Sequence, residues 1–253
     1  MKVVAREKRI LVVNDDGLHG EGLAPLREAL APLGKVTAIV PERERSAASH
    51  CLTLHKPLRL KPHGPGLYAI NGTPADCARI GVLHLMRSGV DLVVSGINRG
   101  HNMGSDVIYS GTVAAASEAA MLGVPAVAVS QGLKGGKGDY RAAAAFAVRV
   151  AQRLLKGPKR PVLLNVNVPA LPPESVKGWK TVRLGERLYD QNVAVRRDPR
   201  GDHYFWMAGR WVRGRDLPGT DISAVRAGYI SVTPLALDPT DVAALPKVAA
   251  WRF

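Results

Sequence analysis

Cysteine is nearly missing: Cys51 and Cys77 are the two in a chain of 253 residues, and they form no Cys-x-x-Cys pair. That count argues against a disulfide framework and against a thiolate zinc site, and it fits a reducing compartment. Aromatic side chains make up 5% of the residues, so Val, Leu, Ile and Ala must fill the core. No apolar run approaches the ~18–20 residues of a membrane span. The run behind the charged first residues, Ile10 to Val13, falls short of the ~7–15 apolar residues of a signal peptide. The expectation is a cytoplasmic protein with no membrane partner. Low-complexity tracts, long charge blocks and internal repeats are missing too, so nothing marks disorder or a solenoid.

What is present is a normal apolar fraction of 46% and a formal net charge of +14. The basic excess suits an anionic partner such as nucleic acid, polyphosphate or a phosphorylated small molecule. A basic surface kept for solubility explains it equally well.

Short aliphatic runs alternate with amphipathic stretches, the pattern of βαβ units and a mainly parallel sheet. Arg9–Asn14, Val36–Val40, Asp91–Ser95, Ala126–Ser130 and Val162–Val168 read as strands. Leu23–Leu33, a stretch from Thr73 to about Met86, Thr112–Leu122 and Tyr140–Leu155 read as helices. Thr73-Pro-Ala-Asp76 has the form of a capping box with proline in the first turn. After Pro172-Pro173 the pattern changes, and Thr181–Val212 alternates as an extended arm or long hairpin. Gly228–Pro234 reads as a last strand, and Thr240–Trp251 as a short closing helix. The expected architecture is α/β: a Rossmann-like three-layer core with a mainly parallel sheet, plus a C-terminal β-hairpin arm. Residues 1–253 make one domain, with the core at roughly 9–170, the arm at 171–227 and a closing strand and helix at 228–253.

Ligands of open parallel sheets sit beyond the carboxyl ends of the strands. Three polar segments lie there. Asp15 and Asp16 follow the first strand directly, and two ionised neighbours at a buried strand end need a cation, unless they merely form an Asp-Asp-Gly turn. Oxygen-only ligands favour Mg²⁺, Mn²⁺ or Ca²⁺. The spacing Gly17-x-x-Gly20-x-Gly22 is not that of a dinucleotide fingerprint. Pro41–His50 offers Ser46 and the arginines Arg43 and Arg45, suited to phosphate. Ser95–Asp106 carries Asn98 and Asn102, whose amides can ligate a hard cation or donate to phosphate. Ser110-Gly111-Thr112 then opens a helix whose free N–H groups suit an anion. A Gly/Asn-rich surface loop with an ordinary cap explains the same residues. His19, His50 and His101 are candidate proton donors, Tyr109 a candidate stacking surface, and Lys134–Lys137 a candidate guard loop.

Together these segments resemble the SurE (survival protein E) family of nucleotidases. The likeness rests on Ile10-Leu-Val-Val-Asn-Asp-Asp-Gly-Leu-His19, Pro41-Glu-Arg-Glu-Arg-Ser46, Asn71-Gly-Thr-Pro-Ala-Asp76 and Ser95-Gly-Ile-Asn-Arg-Gly-His-Asn-Met-Gly104. It continues through Asp106–Glu118 and Gly228–Leu235, in family order. The resemblance implies a phosphatase acting on nucleoside 5′- and 3′-monophosphates, and in some members on short polyphosphate. It implies one divalent metal ion, Mg²⁺ or Mn²⁺, on Asp15, Asp16, Ser46 and Asn98, with Asp15 and Asp16 also the catalytic pair. Phosphate would lie near Asn102, Ser110, Gly111 and Thr112, and the arm would join subunits into a homodimer or homotetramer. The chain departs from the family pattern at Gly20-Glu21 (usually Ala-Pro), Ala47 (usually Gly), and Glu42 and Glu44 (usually Asp and Asn).

Two other readings compete. An aspartyl-phosphate phosphatase usually shows Asp-x-Asp, whereas Asp15 and Asp16 are adjacent. A basic nucleic-acid-binding module would use the stretch from Lys177 to Arg215, which holds ten Lys/Arg against four Asp/Glu. Phe205, Trp206 and Trp211 there could stack bases.

Overall fold

The computed structural model describes residues 6–157, 162–189, 192–207, 211–212 and 217–252. Strand β1 (Arg9–Val13) sends Ile10 and Val12 to one face and Leu11 and Val13 to the other, and all four are fully buried. That period of two is the reason a short aliphatic run with no polar alternation becomes a central strand. Helix α1 (Leu23–Leu30) buries Leu23, Leu26 and Leu30 on the first face, and a 3₁₀ turn at Ala31–Leu33 ends it before Gly34. Strand β2 (Lys35–Pro41) pairs parallel with β1. Two short strands follow, β3 (Leu60–Pro62) and β4 (Leu67–Ile70).

Helix α2 (Pro74–Ile80) starts as the capping box expected: the Asp76 N–H donates to the Thr73 hydroxyl at 3.1 Å, and the Thr73 N–H donates to the Asp76 carboxylate at 2.8 Å. A π turn at Gly81–Leu85 continues it. Strand β5 (Leu92–Arg99) runs four residues beyond the expected end at Ser95, so Asn98 lies on the strand and not in a loop. Helix α3 (Gly111–Met121), strand β6 (Ala126–Gln131), helix α4 (Arg141–Leu154) and strand β7 (Leu163–Val168) complete the parallel part.

Strand β8 (Trp179–Thr181) follows. Then come β9 (Leu188–Tyr189), β10 (Ala194–Arg197), β11 (His203–Trp206) and β12 (Trp211–Val212), which pair as two antiparallel ribbons, β9 with β12 and β10 with β11. Helix α5 (Asp221–Arg226), strand β13 (Ile230–Pro234) and helix α6 (Leu245–Ala249) close the chain. Segment 171–227 therefore contains pieces of the main body: β8 pairs with β13 in the large sheet, and α5 is a helix where only extended chain was expected. The polar stretch Thr220-Asp-Ile-Ser is too short to show a helical period. Its N-cap is visible only in the fold, where the Ser223 N–H donates to the Thr220 hydroxyl.

Among the described residues the large sheet has nine strands in the order β3-β4-β2-β1-β5-β6-β7-β13-β8, parallel from β4 to β7. Helices α1 and α4 cover one face and α2 and α3 the other, giving three layers and an aliphatic core. The winding proceeds outwards from β1 through β2 on one side and from β5 through β6 on the other. The carboxyl ends of β1 and β5 therefore flank the switch point, where α/β sheets take their ligands. No helix among the described residues is long and apolar enough to cross a membrane.

Candidate active site

At the end of β1, Asn14 builds the turn and does not face a ligand. Its Nδ2 donates to the Gly17 carbonyl at 2.9 Å, and its Oδ1 accepts from the Gly17 N–H at 3.1 Å. Gly17 has φ +80°, and a Cβ there would stand 2.9 Å from the Arg43 carbonyl carbon. Only glycine lets the β1 turn and the loop after β2 touch this closely. The Arg45 N–H then donates to the Asp15 carbonyl at 2.7 Å, which sets Ser46 beside the acids.

Asp15 is buried and accepts the Thr112 hydroxyl at 2.5 Å. Burial raises its pKa, opposed by hydrogen bonds from the Thr112 hydroxyl and amide. Asp16 is half-buried and accepts the Arg99 N–H at 3.1 Å. Burial first, and then the charge of Asp15, push its carboxyl up to about 6. Glu44 adds repulsion to both acids while its carboxylate accepts the Ser46 hydroxyl at 2.6 Å. The cluster is thus short of positive charge, and a hard divalent cation would supply it. Among the described residues no three His, Cys, Asp or Glu side chains gather as a metal cluster. A cation here would rest on two carboxylates and neutral oxygens, and the donor set of Asp15, Asp16, Ser46 and Asn98 fits that chemistry.

Asp15, Ser46, Asn98, Asn102 and Ser110 line one cleft of about 320 Å³, together with Ala47, Arg99, Asp106 and Tyr109. The volume suits a small ligand. Asp16 is not among the lining residues; its carboxylate meets the backbone N–H of Arg99, which is. Gly111 and Thr112 stand behind: a Cβ on Gly111 would come 2.9 Å from the Asp15 Cβ, so the start of α3 is seated on the acid. Ser110 caps α3, its hydroxyl accepting the Val113 N–H at 3.1 Å. The Asn102 Nδ2 donates to the Ser130 hydroxyl at 2.9 Å, which orients its amide. The Asn102 N–H donates to Asn167 Oδ1 at 2.8 Å, and its carbonyl accepts from Asn165 and Asn167 at 2.8 and 3.0 Å.

Other expected residues lie elsewhere. Arg43 and Arg45 are exposed, and the cation that lines the cleft is Arg99. His101 is turned away, bonded to the Val168 carbonyl at 2.8 Å, and burial lowers its pKa. His50 bonds the buried Glu118 at 2.9 Å, and His19 is exposed. Sequence reasoning passed over Arg99, Asp106 and the supports Ser130, Asn165 and Asn167. A signal for the last two exists: polar residues at alternate positions of a buried strand face one side and ask for a polar partner.

These features define a class: a doubly wound α/β protein whose oxygen-rich cleft at the switch point suits a hard cation beside an anion. The family model described as Survival protein SurE matches residues 10–191, and the chain belongs to that family. It is 49% identical over 243 residues to the 5'-nucleotidase SurE of Geobacter sulfurreducens, covering 96% of this chain and 93% of that protein. It is 46% identical over 246 residues to the 5'-nucleotidase SurE of Geobacter metallireducens, covering 97% and 98%. The crystal structure of the SurE protein from Aquifex aeolicus superposes with a TM-score of 0.84 at 38% identity, covering 95% of this chain and 98% of that one.

Proposed function

We propose that this protein is a metal-dependent phosphomonoester hydrolase that releases phosphate from nucleoside monophosphates. The observation that carries the reading is the convergence of Asp15, Ser46, Asn98, Asn102 and Ser110 on one cleft, in a chain that matches 5'-nucleotidases over nearly its full length. The same match gives no support to a nucleic-acid-binding module without phosphatase activity.

Asp15, Asp16, Ser46 and Asn98 hold one Mg²⁺ or Mn²⁺ in this reading. A bound divalent ion supplies Lewis-acid polarisation of the phosphoryl group and a water of lowered pKa. The residues do the rest. The Thr112 hydroxyl fixes the rotamer of Asp15, and Glu44 orients the Ser46 hydroxyl. Asn102 and the Gly111 amide at the start of α3 donate to the non-bridging oxygens, where charge spreads in the transition state. One of Asp15 and Asp16 takes the proton of the attacking water. Tyr109, exposed at the rim, offers a face to the base. Both 5′- and 3′-monophosphates, and short polyphosphate, are proposed substrates. The subunits form a homodimer or homotetramer through the arm, in a cytoplasm that keeps the unpaired Cys51 and Cys77 reduced.

The test is phosphate release from a panel of nucleoside monophosphates with Mg²⁺, with Mn²⁺ and with EDTA. Metal-dependent release is expected; no release from any substrate with either metal would sink the reading.

A further inference from the structure

The far wall of the cleft is a 3₁₀ turn, Gly104–Ile108, which carries Asp106 and leads to Tyr109 and the cap Ser110. The sheet anchors the approach to it, where Asn165 and Asn167 grip the backbone of Asn102, and Ser49 holds its end, donating to the Ile108 and Tyr109 carbonyls at 2.8 and 3.0 Å. The turn itself rests on the root of the arm. Asp221, the first residue of α5, has no solvent exposure. One carboxylate oxygen accepts the Gly104 N–H at 2.8 Å, and the other accepts the Gly185 and Ile222 N–H groups, each at 2.8 Å. Burial raises the Asp221 pKa, while the three N–H donors favour the ionised form. The Met103 side chain packs with Ile222 and Val225. Gly104, at φ +55°, lies so near the arm root that a Cβ would come 2.7 Å from the Gly185 carbonyl oxygen. Two more contacts join the same pieces: Arg187 forms an ion pair with Asp106, and the Ser105 hydroxyl donates to the Arg187 carbonyl at 3.0 Å.

We propose that Asp221 is a positioning residue for the reaction, holding the wall that carries Asp106, Tyr109 and Ser110 against the segment from which the arm springs. It acts through the Gly104 amide and touches neither substrate nor metal ligands. Both oxygens accept, so only a carboxylate satisfies all three donors. An asparagine can keep Gly185 and Ile222 by turning its oxygen to them, and it then sets its own N–H₂ against the Gly104 N–H. The inference rests on the nucleotidase reading for its catalytic meaning, but its structural half does not need turnover.

The experiment compares wild type with Asp221→Asn, and with Arg187→Gln should the first variant fold poorly, in two measurements. In amide hydrogen exchange, the segment 103–110 is expected to lose protection by roughly tenfold or more, while β1 and β6 keep theirs. In turnover per folded molecule, kcat/KM for a nucleoside monophosphate is expected to fall roughly tenfold or more, with the Mn²⁺ concentration for half-maximal activity unchanged. A purely structural role would lower Tm and leave both segment-specific exchange and kcat/KM per folded molecule as in wild type. Unchanged protection at 103–110 overturns the proposal, as does a rise in the Mn²⁺ requirement that accounts for the lost turnover. Because exchange is read without substrate, a failure there is distinct from a failure of the nucleotidase reading.

Discussion

Asp15 and Asp16 are adjacent in sequence and unequal in place: one is buried on Thr112, the other half-buried on the Arg99 amide. Replacing either with asparagine removes one charge and one strong ligand. Each variant is expected to lose about a hundredfold or more in turnover, measured as phosphate release. Near-normal turnover by either would remove that acid from the mechanism. Titration offers a second check. The Asp16 carboxyl lies at about 6 in the fold against 3.8 outside it. The folded state keeps a proton that the unfolded chain releases, so the metal-free protein loses stability as pH rises through that window. A cation replaces the proton, so the Tm gain from saturating Mn²⁺ should be larger at about pH 7.5 than at about pH 5. An equal gain at both would place the ion elsewhere. Ala47 sits at φ 56°. Relief of that left-handed strain by Ala47→Gly should raise stability by about 0.5–1 kcal/mol in urea unfolding.

At the scale of elements, the loops matter because rigid pieces aim them. The capping box on α2 is legible as Thr73-Pro-Ala-Asp76, and the Thr73 hydroxyl also donates to the Cys51 carbonyl at 2.6 Å, tying down the chain beyond the Ser46 loop. Thr73→Ala should cost about 1 kcal/mol in urea unfolding. Its kcat should hold, since Thr73 lies outside the cleft; a large fall in kcat would mean the tether sets the Ser46 loop. Strand β5 shows where sequence reading stops short. Gly96 suggests a loop, because glycine weakens strands. Yet a Cβ there would meet the Val129 carbonyl oxygen at 2.3 Å. Glycine serves close backbone approach here, and the strand continues to Arg99.

For the whole molecule, the arm sets exposed apolar side chains beside a basic stretch. Val195, Tyr204, Phe205 and Trp206 are exposed on the β10–β11 ribbon. Arg196, Arg197 and Arg200 lie on it, whereas Arg210, Arg213 and Arg215 fall outside the described residues, as does the Trp211 side chain. If the arm steers anionic substrate, neutralising Arg196, Arg197 and Arg200 should lower kcat/KM mainly at low salt, because screening removes long-range attraction. An unchanged kcat/KM at low salt rejects steering and leaves the arm a contact surface.

The chain's own order of residues determined the parallel α/β core, the two acids at the end of β1, the caps of α2 and α3 and the oxygen-rich character of the site. Local pattern suffices there, since strand period, cap chemistry and the placement of polar residues after strands act within a few neighbours. Only the tertiary structure decided that Thr112 grips Asp15, that Arg99 and not Arg43 or Arg45 lines the cleft, and that Asp221 reaches back across 117 residues to Gly104. Those contacts join groups far apart in the chain. Which side chain meets which depends on how layers stack and how deeply each group is buried, and neither is written in any short window of sequence.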